Sequence, residues 1–253
     1  MSPFFLMDYG SKVEFSPTNN PRGVGVHPHR GFETVTIAYH GSVAHHDSAG
    51  NSGIIGEGDV QWMTAGSGLL HKEYHEKEFS KKGGLFQMVQ LWVNLPAKYK
   101  MTPPKYQEIT QKKMGNWQLA NNKGTVEIIA GEYKGVKGPA STFTPLLVYN
   151  ARLKKDAQAE FNFSSNYNTG ILVVEGSVKI NGVDAPTDHF VLFNNDGELI
   201  DIEAKEESVL LILSGEPIDE PIAQYGPFLM NTWKELEQAI EDVSSGKFGV
   251  LEE

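Results

Sequence analysis

The sequence contains no cysteine. This absence excludes disulfide bonds, thiolate metal sites and cysteine nucleophiles, and it fits a cytoplasmic protein, which is the location expected here. No apolar run reaches the length that crosses a membrane. The opening MSPFFLMDYG has no basic segment before its short apolar stretch. Neither a membrane span nor a secretory signal is therefore expected.

Positive charge is also scarce. The chain has 22 Lys and Arg residues against 32 Asp and Glu residues, which gives a net charge of −10. A field of this sign keeps a protein in solution and repels phosphate backbones. Direct binding of DNA or RNA is therefore not expected.

What the sequence does contain is a series of short, alternating apolar runs separated by turn residues. The 26 glycines and 13 prolines are spread along the chain, as is typical of tight turns between short strands. The runs include TVTIAYH, LFQMVQLWVNLP, LLVYNARL and GILVVEGSVKI. This pattern predicts an all-β protein.

The two halves of the chain resemble each other weakly. TVTIAYHGSV and ILVVEGSVKI both have the order strand, Gly-Ser, strand, on either side of a Pro- and Lys-rich stretch around MTPPKY. This internal duplication indicates two antiparallel β-barrels in tandem. The predicted divisions are a barrel over 1–105, a connector over 106–124, a second barrel over 125–215 and a C-terminal segment over 216–253.

The C-terminal segment carries the one helical pattern. In TWKELEQAIEDVSSGKFG, Thr232 and Glu235 have the spacing of a capping box, and Gly246 follows the last turn. A short helix is predicted from about 232 to 244. Its residues Trp233, Leu236 and Ile240 are expected to pack on a barrel.

Two segments, HPHRGFE at 27–33 and TAGSGLLHKEYHE at 64–76, carry candidate metal ligands. Residues i and i+2 of a strand share a face, so His27 pairs with His29 and His71 pairs with Glu73. If the two strands are neighbours, all four side chains converge on a barrel interior. Three imidazoles and one carboxylate suit iron, manganese, nickel, cobalt or copper, with coordination positions left for a substrate.

Other readings of these segments stay open. An HxH pair often binds no metal, and HKEYHE has the charge of a solvated edge. Glu33 follows His29 by four residues, so in an unbroken strand it also faces the interior, as the carboxylate ligand or as a partner of a ligating histidine. His75 is in phase with His71 and is either a neighbour of the ligands or a surface residue.

The remaining histidines have structural or solvated roles in this interpretation. His46 is expected in a solvated turn, while His45 lies where a strand meets a loop and can point either way. His40 and His189 are expected to be structural. A serine nucleophile and a phosphate-binding loop are not supported, because GSGLLH and GVGVHPHRG are not followed by a helix.

The segments HPHRGFETVT, GDVQWMTAGSGLLHKEY and LFQMVQLWVNLP together resemble the pirin family, a branch of the cupin superfamily. The tail GEPIDEPIAQYGPFLMNT is similar to the C-terminal segment of pirins. The resemblance implies a bicupin, which is a pair of cupin barrels (double-stranded β-helices), with the metal in the N-terminal one. Family members have an N-terminal strand before the point at which this chain begins, so a shortened first edge strand is expected.

The resemblance also implies the ligands and the ion. The family's ligands correspond to His27, His29, His71 and Glu73, whereas generic cupins would use Glu33. The usual metal is Fe(II), although relatives accept Mn, Ni, Co, Cu or Zn. The second barrel of pirins usually holds no metal, and here that half has His189 alone.

Two functions follow from the resemblance. Some bacterial pirins are quercetin 2,3-dioxygenases, which cleave a flavonol with O2 and release carbon monoxide. In that role Glu73 accepts the proton of the substrate hydroxyl, and Glu33 or His75 is a reserve base. Four residues are expected either to line a flat substrate pocket or to belong to the core, namely Phe32, Trp62, Met63 and Trp92. Other pirins are iron-dependent regulators that bind a transcription factor or a metabolic enzyme, with little turnover.

Overall fold

The computed structural model describes all 253 residues, which form two compact units. The first unit comprises residues 4–110 and 218–253, and the second comprises residues 1–3 and 111–217. The chain therefore leaves the first unit after Thr110 and returns to it at Ile218. No helix is both long and apolar enough to span a membrane.

The first unit begins with nine strands and a short helix. They are β1 (Phe4–Phe15), β2 (Gly23–His29), β3 (Phe32–His40), β4 (Val43–Asp47), β5 (Ser52–Ile55), β6 (Val60–Thr64), β7 (Leu69–His75), α1 (Lys77–Lys82), β8 (Gly84–Asn94) and β9 (Lys105–Ile109). A 3-10 turn at Ala97–Tyr99 precedes β9. A glycine-rich bend at 65–68 separates β6 from β7.

These strands form two antiparallel sheets. The five-stranded sheet has the order β1-β8-β3-β6-β9, and the four-stranded sheet has the order β2-β7-β4-β5. The chain passes between the sheets at the bend from β6 to β7. Gly66 has a φ of 51° there, and a Cβ on it would lie 2.1 Å from the carbonyl oxygen of Thr102. Only glycine fits this close approach.

The first edge strand is long, contrary to the expectation of a shortened one. β1 pairs with β8 from Phe4 opposite Val93 to Phe15 opposite Gly84, with two register shifts on the way. Such irregularities are common on edge strands, where they bend the strand and discourage pairing with another sheet.

The second unit contains twelve strands. They are β10 (Gly115–Gln118), β11 (Gly124–Ala130), β12 (Glu132–Tyr133), β13 (Val136–Lys137), β14 (Leu146–Leu153), β15 (Gln158–Asn162), β16 (Asn168–Glu175), β17 (Ser177–Ile180), β18 (Val183–Pro186), β19 (His189–Leu192), β20 (Leu199–Ala204) and β21 (Ser208–Gly215). Its 3-10 turns are Gln111–Lys113 and Ala120–Asn122. The predicted connector over 106–124 thus contains β10 and most of β9 rather than irregular chain.

The sheets of the second unit repeat the arrangement of the first. A six-stranded sheet of order β10-β11-β14-β21-β16-β19 accompanies a four-stranded sheet of order β15-β20-β17-β18, and β12 pairs with β13. Apolar side chains from both sheets fill the interior, including Tyr149 and Ile171 from one and Phe161 and Ile200 from the other. Apolar side chains thus occupy the centre of this barrel.

The C-terminal segment adds β22 (Ala223–Tyr225), β23 (Phe228–Met230) and α2 (Trp233–Ser244) to the first unit. The capping box between Thr232 and Glu235 is formed. The expected packing face is wrong in part, because Trp233 is 67% exposed and Ile240 is 42% exposed. Leu236 is buried as predicted, and Ala239 is buried in place of the other two residues. The buried side of the helix therefore includes Leu236 and Ala239, which are three positions apart.

Buried cations attach this segment to the turn between β2 and β3. The guanidinium of Arg30 donates to Asp242 Oδ2 at 2.8 Å and to the carbonyl of Ser67 at 2.7 Å. Hydrogen bonds from Lys247 and Arg30 hold the pKa of Asp242 far below its usual value. The clamp places β23 beside the end of β2, where Leu229 donates its backbone N–H to the carbonyl of Arg30.

Lys100 makes a second attachment. Its ammonium donates to the carbonyls of Gly31 and Leu229 and to Asn94 Oδ1, at 2.7 to 2.9 Å. The residue is 1% exposed, and burial lowers its pKa to about 8. Lys100 therefore joins the β2–β3 turn, the end of β8 and β23 at a single point.

Replacing this ammonium should destabilise the first unit. Lys100→Met leaves three buried acceptors without a donor, and we expect a loss of roughly 2–3 kcal/mol in the free energy of unfolding. Denaturant unfolding followed by fluorescence measures it. Lys98→Met, at an exposed position of the same turn, is the control, and an equal effect of both variants would contradict this role for Lys100.

Candidate metal centre

The pairing of β2, β7 and β4 brings the candidate ligands together. In the register of the sheet, His27 is opposite His71 on one side, and Glu73 is opposite His45 on the other. Side chains at directly opposed positions share a face of the sheet. The interior face of the four-stranded sheet therefore presents a row of imidazoles and carboxylates.

A β-bulge in β2 determines on which face of the sheet the His27 side chain lies. The pairing passes from Val24 opposite Glu73 to His27 opposite His71, so two residues of β2 face one residue of β7. The N–H of the bulged Val26 donates to the Glu253 carboxylate at 3.0 Å. Bulges re-aim side chains in this way beside functional sites.

Backbone carbonyls select the tautomers of two histidines. His27 Nδ1 lies 2.8 Å from the carbonyl of Gly25, and His29 Nδ1 lies 3.3 Å from the carbonyl of Pro227. Because a carbonyl oxygen only accepts, both Nδ1 atoms carry the hydrogen. The Nε2 atoms of His27 and His29 therefore hold the lone pairs.

Two Nε2 atoms are buried without any partner, those of His29 and His71. The ligand atoms of His27, His29 and His71 lie within 4.8 Å of one another, and the His71 ring centroid is 4.2 Å and 4.7 Å from the other two. Unpartnered buried nitrogens are costly and call for an explanation. Converging lone pairs fit a metal ion, so these residues are suited to hold one.

The electrostatics favour the neutral form that binds a metal. Burial and the neighbouring His27 lower the pKa of His29 to about 3. Burial and the surrounding histidines hold the pKa of His71 well below its ordinary value. Both imidazoles are thus neutral near pH 7, and neutral imidazole is the ligand form.

Glu73 adjoins the histidine group and is held by side chains of the opposite sheet. Its Oε1 accepts from Gln61 at 2.8 Å and from Thr36 at 3.2 Å, and its Oε2 accepts from Gln90 at 2.6 Å. It belongs to a second group of possible ligands with His71 and His45, also within 4.8 Å. A carboxylate has about four acceptor positions, so these three bonds leave one for a metal or a proton.

The sequence interpretation did not include Thr36, Gln61 and Gln90. They lie on β3, β6 and β8 at positions that face the four-stranded sheet. Gln61 is fully buried within the apolar strand VQWMT. A buried amide in such a strand is a signal that could have identified it, because it needs a polar partner.

Glu33 does not lie with the histidines, contrary to the expectation that it faces the interior. Gly31, with a φ of 89°, breaks the strand between His29 and Glu33. Glu33 and Thr36 then fall on opposite faces of β3. Glu33 Oε1 accepts from Thr64 at 2.7 Å, and burial raises its pKa to about 7.

The other histidines differ in their burial and in the groups that surround them. His45 is fully buried beside the site, whereas His46 and His189 are exposed. His40 lies 3.4 Å from the Glu57 carboxylate. His75 is buried rather than on the surface, with its ring centroid 4.3 to 5.3 Å from three phenylalanine rings, those of Phe15, Phe79 and Phe86.

A cavity of about 220 Å³ opens onto the site. His27 and Glu73 form part of its wall, together with Gln90 and His75, and its apolar lining is provided by Val24, Val43, Phe86 and Met88. A larger cavity of about 670 Å³ in the second unit is lined by no histidine. The smaller one is therefore the candidate site.

The expected lining of the pocket is wrong, because none of Phe32, Trp62, Met63 and Trp92 lines this cavity. The rings of Phe32 and Trp92 lie 5.0 and 5.3 Å from that of His29. Met63 packs with Ala65 and Leu69. Trp62 alternates with Gln61 on β6, so it lies on the face away from the site.

A barrel of two antiparallel sheets with histidines and a carboxylate converging inside defines a cupin-type metal protein, here with the barrel doubled. Comparison of the sequence with family models matches residues 1–93 to pirin and residues 148–249 to the pirin C-terminal cupin domain. The chain belongs to the pirin family.

Individual relatives support the assignment to the pirin family. A Pseudomonas aeruginosa protein with the provisional name quercetin 2,3-dioxygenase is 45% identical, over 98% of this chain and 87% of its own. The crystal structure of quercetin 2,3-dioxygenase from Acinetobacter baumannii has 47% identity and a TM-score of 0.94, over 99% of this chain and 88% of that one. The Escherichia coli pirin YhhW, in complex with nickel(II), has 25% identity and a TM-score of 0.64, over 82% and 81% of the chains.

Removing one imidazole should abolish metal binding without unfolding the protein. His71→Ala is expected to lose most of the bound metal, because two histidines and one carboxylate remain, while the buried apolar residues of the first unit, among them Val35, Val89 and Leu91, keep it folded. Metal content by inductively coupled plasma mass spectrometry, with circular dichroism, measures both. His189→Ala is the matched control, and a large metal loss in that variant would mean that the ligand set is wrong.

Glu33 should make stability fall as the pH rises. The pKa of the buried carboxyl is raised from 4.5 to about 7, so between these values the folded protein holds a proton that the unfolded chain has lost. The full cost above pH 7 is about 3 kcal/mol. Glu33→Gln should remove this slope in urea unfolding at pH 5 and pH 8, whereas a parallel pH dependence in both proteins would refute it.

Proposed function

We propose that this protein is a metal-dependent dioxygenase that cleaves a flavonol such as quercetin with O2 and releases carbon monoxide. The observation that carries the proposal is the apolar cavity that opens onto His27 and Glu73. Small-molecule sites combine an apolar wall with a few converging polar groups. The names of the Pseudomonas and Acinetobacter relatives support the same reaction.

The proposed ligands are His27, His29, His71 and Glu73, and the proposed ion is Fe(II). The same donors accept Mn, Ni, Co, Cu or Zn, and the nickel(II) complex of the E. coli relative shows that another pirin takes a divalent ion. When bound, the ion supplies Lewis acidity toward the 3-hydroxyl of the flavonol and brings the substrate and oxygen together.

The protein's own residues provide orientation and proton transfer. An apolar wall suited to a flat aromatic molecule is formed by Val24, Val43, Phe86 and Met88. Gln61, Thr36 and Gln90 fix the Glu73 carboxylate, whose one remaining acceptor position serves either as a metal ligand or as the acceptor of the 3-hydroxyl proton.

His75 is a second possible proton acceptor. It lies on the wall of the same cavity, in phase with Glu73 along β7, and its Nδ1 is buried without a partner. Glu33 is not proposed for this role, because it lies on the other face of the sheet.

The small size of the cavity favours a second candidate function, in which the protein is a regulator with little turnover. At about 220 Å³ it is smaller than most small-molecule sites, which span roughly 300–1,000 Å³. An iron-dependent regulatory protein that binds a transcription factor or metabolic enzyme needs no larger space. In either case the cytoplasmic location stays a prediction.

Oxygen uptake separates the two functions. Protein loaded anaerobically with iron should consume O2 when given quercetin, in step with the loss of the flavonol and the release of carbon monoxide. Zinc-loaded protein is the control, because the zinc ion is not redox-active. No uptake by fully iron-loaded protein would overturn the dioxygenase and favour the regulatory function.

Carboxylate variants extend the same assay. Glu73→Gln should keep some metal and lose most turnover, because the amide oxygen is a weaker ligand and a poor proton acceptor. Glu33→Gln should have a smaller effect, since Glu33 faces away from the cavity. The reverse ranking would show that Glu33 is the functional carboxylate.

A further inference from the structure

We propose that Asp47 and His45 form, with His71, a hydrogen-bonded chain that fixes the tautomer of His71 and strengthens its bond to the metal. Asp47 and His45 are positioning residues in this proposal, since they act through His71. The inference deepens the proposed function and rests on the metal site assigned there.

The three histidines of the site are not held alike. His27 and His29 each direct Nδ1 at a backbone carbonyl, of Gly25 and of Pro227. The corresponding neighbour of His71 Nδ1 is a side chain, His45, at 3.5 Å between the two Nδ1 atoms. The orientation of His71 therefore depends on the state of His45.

Asp47 is the first member of this hydrogen-bonded chain, and its carboxylate is held in place as an anion. Its Oδ1 accepts from the backbone N–H groups of Ala49 and Asn51, both at 2.9 Å, and the Asn51 amide donates to both oxygens. Burial alone would raise its pKa, but hydrogen bonds from His45 and Asn51 outweigh it and leave the pKa below its ordinary value. The residue is 4% exposed, so its carboxylate is held away from solvent.

The surroundings of His45 determine where it carries its hydrogen. Gln61 Nε2 lies 3.1 Å from His45 Nδ1 and also donates to Glu73. An amide nitrogen only donates, so His45 Nδ1 must accept. His45 is then protonated at Nε2, which lies 3.3 Å from Asp47 Oδ2. Tyr106 stacks on the ring, with a centroid distance of 5.1 Å, and holds its plane.

The state of His71 follows from that of His45. Because His45 Nδ1 carries no hydrogen, the facing Nδ1 of His71 carries one, and it shares the single lone pair of His45 Nδ1 with the Gln61 amide. His71 Nε2, which is buried without a partner, is then left with the lone pair that a metal needs. All three site histidines thus share one tautomer, with Nδ1–H outward and Nε2 toward the metal.

The hydrogen-bonded chain from Asp47 through His45 to His71 also increases the negative character of the metal site. A carboxylate that accepts from a histidine raises the basicity of the next ligand, and such outer partners typically contribute about 10–100-fold to metal affinity. Added negative character at the metal stabilises Fe(III) relative to Fe(II). Asp47 should therefore both tighten metal binding and lower the reduction potential of bound iron.

Metal affinity provides the first test. Nickel(II) dissociation constants, measured by competition with a chromogenic chelator, are compared for wild type, Asp47→Asn, His45→Gln and His46→Gln. The first two variants should bind about 10–100-fold more weakly, and the midpoint potential of iron-loaded Asp47→Asn should rise. His46→Gln is the matched control, because His46 is exposed on the same strand, and it should match wild type.

Asp47→Asn keeps the test valid if His45→Gln fails to fold. The asparagine side-chain oxygen still accepts from Ala49 and Asn51, so the turn is retained, while the charge is lost. Folded Asp47→Asn protein with an affinity within about twofold of wild type, and an unchanged potential, would overturn the proposal.

Nitrogen-15 NMR of the metal-free protein distinguishes this inference from the metal site itself. Ring nitrogen shifts should show His71 protonated at Nδ1 and His45 at Nε2 in wild type, with His45 no longer in this single state in Asp47→Asn. His71 protonated at Nε2 would refute the chain even if metal binds. If the wild-type protein shows these tautomers but binds no nickel or iron, the metal site is refuted. The hydrogen-bonded chain of Asp47, His45 and His71 would then still stand.

Discussion

The pairing of β7 between β2 and β4 is the constraint on which the site depends. It places His71 opposite His27 and Glu73 opposite His45, so residues far apart in sequence meet on one face. A shift of one residue in either pairing would turn His71 and Glu73 toward the other face of the sheet. The bulge in β2 and the glycine-rich bend before β7 fix that register.

The site also depends on a segment that reaches it after the whole second unit. Pro227 supplies the carbonyl that orients His29, and the adjoining β23 is held by Lys100 and by the clamp between Arg30 and Asp242. The N-terminal barrel and the C-terminal segment are thus one structural unit. Buried charged groups at this junction restrict the conformation of the end of β2, where a ligand is located.

The two barrels show how one architecture accommodates different interiors. In the second unit, aromatic rings such as Tyr149 and Phe161 pack in the centre. In the first unit, the same region holds imidazoles, a carboxylate and the amides of Gln61 and Gln90. Apolar packing needs no further partner, whereas the polar interior is satisfied only by a connected hydrogen-bond network and an ion.

The sequence by itself determined the all-β class, the doubled barrel and the candidate ligands. Strand alternation is a local property with a period of two, so the HxH and HxE spacings made His27, His29, His71 and Glu73 candidate ligands. The spacing left Glu33 open as the carboxylate, and only the resemblance to pirins favoured Glu73. Tertiary structure decided which groups surround them. Gly31 turned Glu33 away from the site, and the packing of one sheet on the other brought Gln61 to Glu73. Neither result follows from a period of two, because the first depends on the positive φ of Gly31 and the second on contacts between the two sheets.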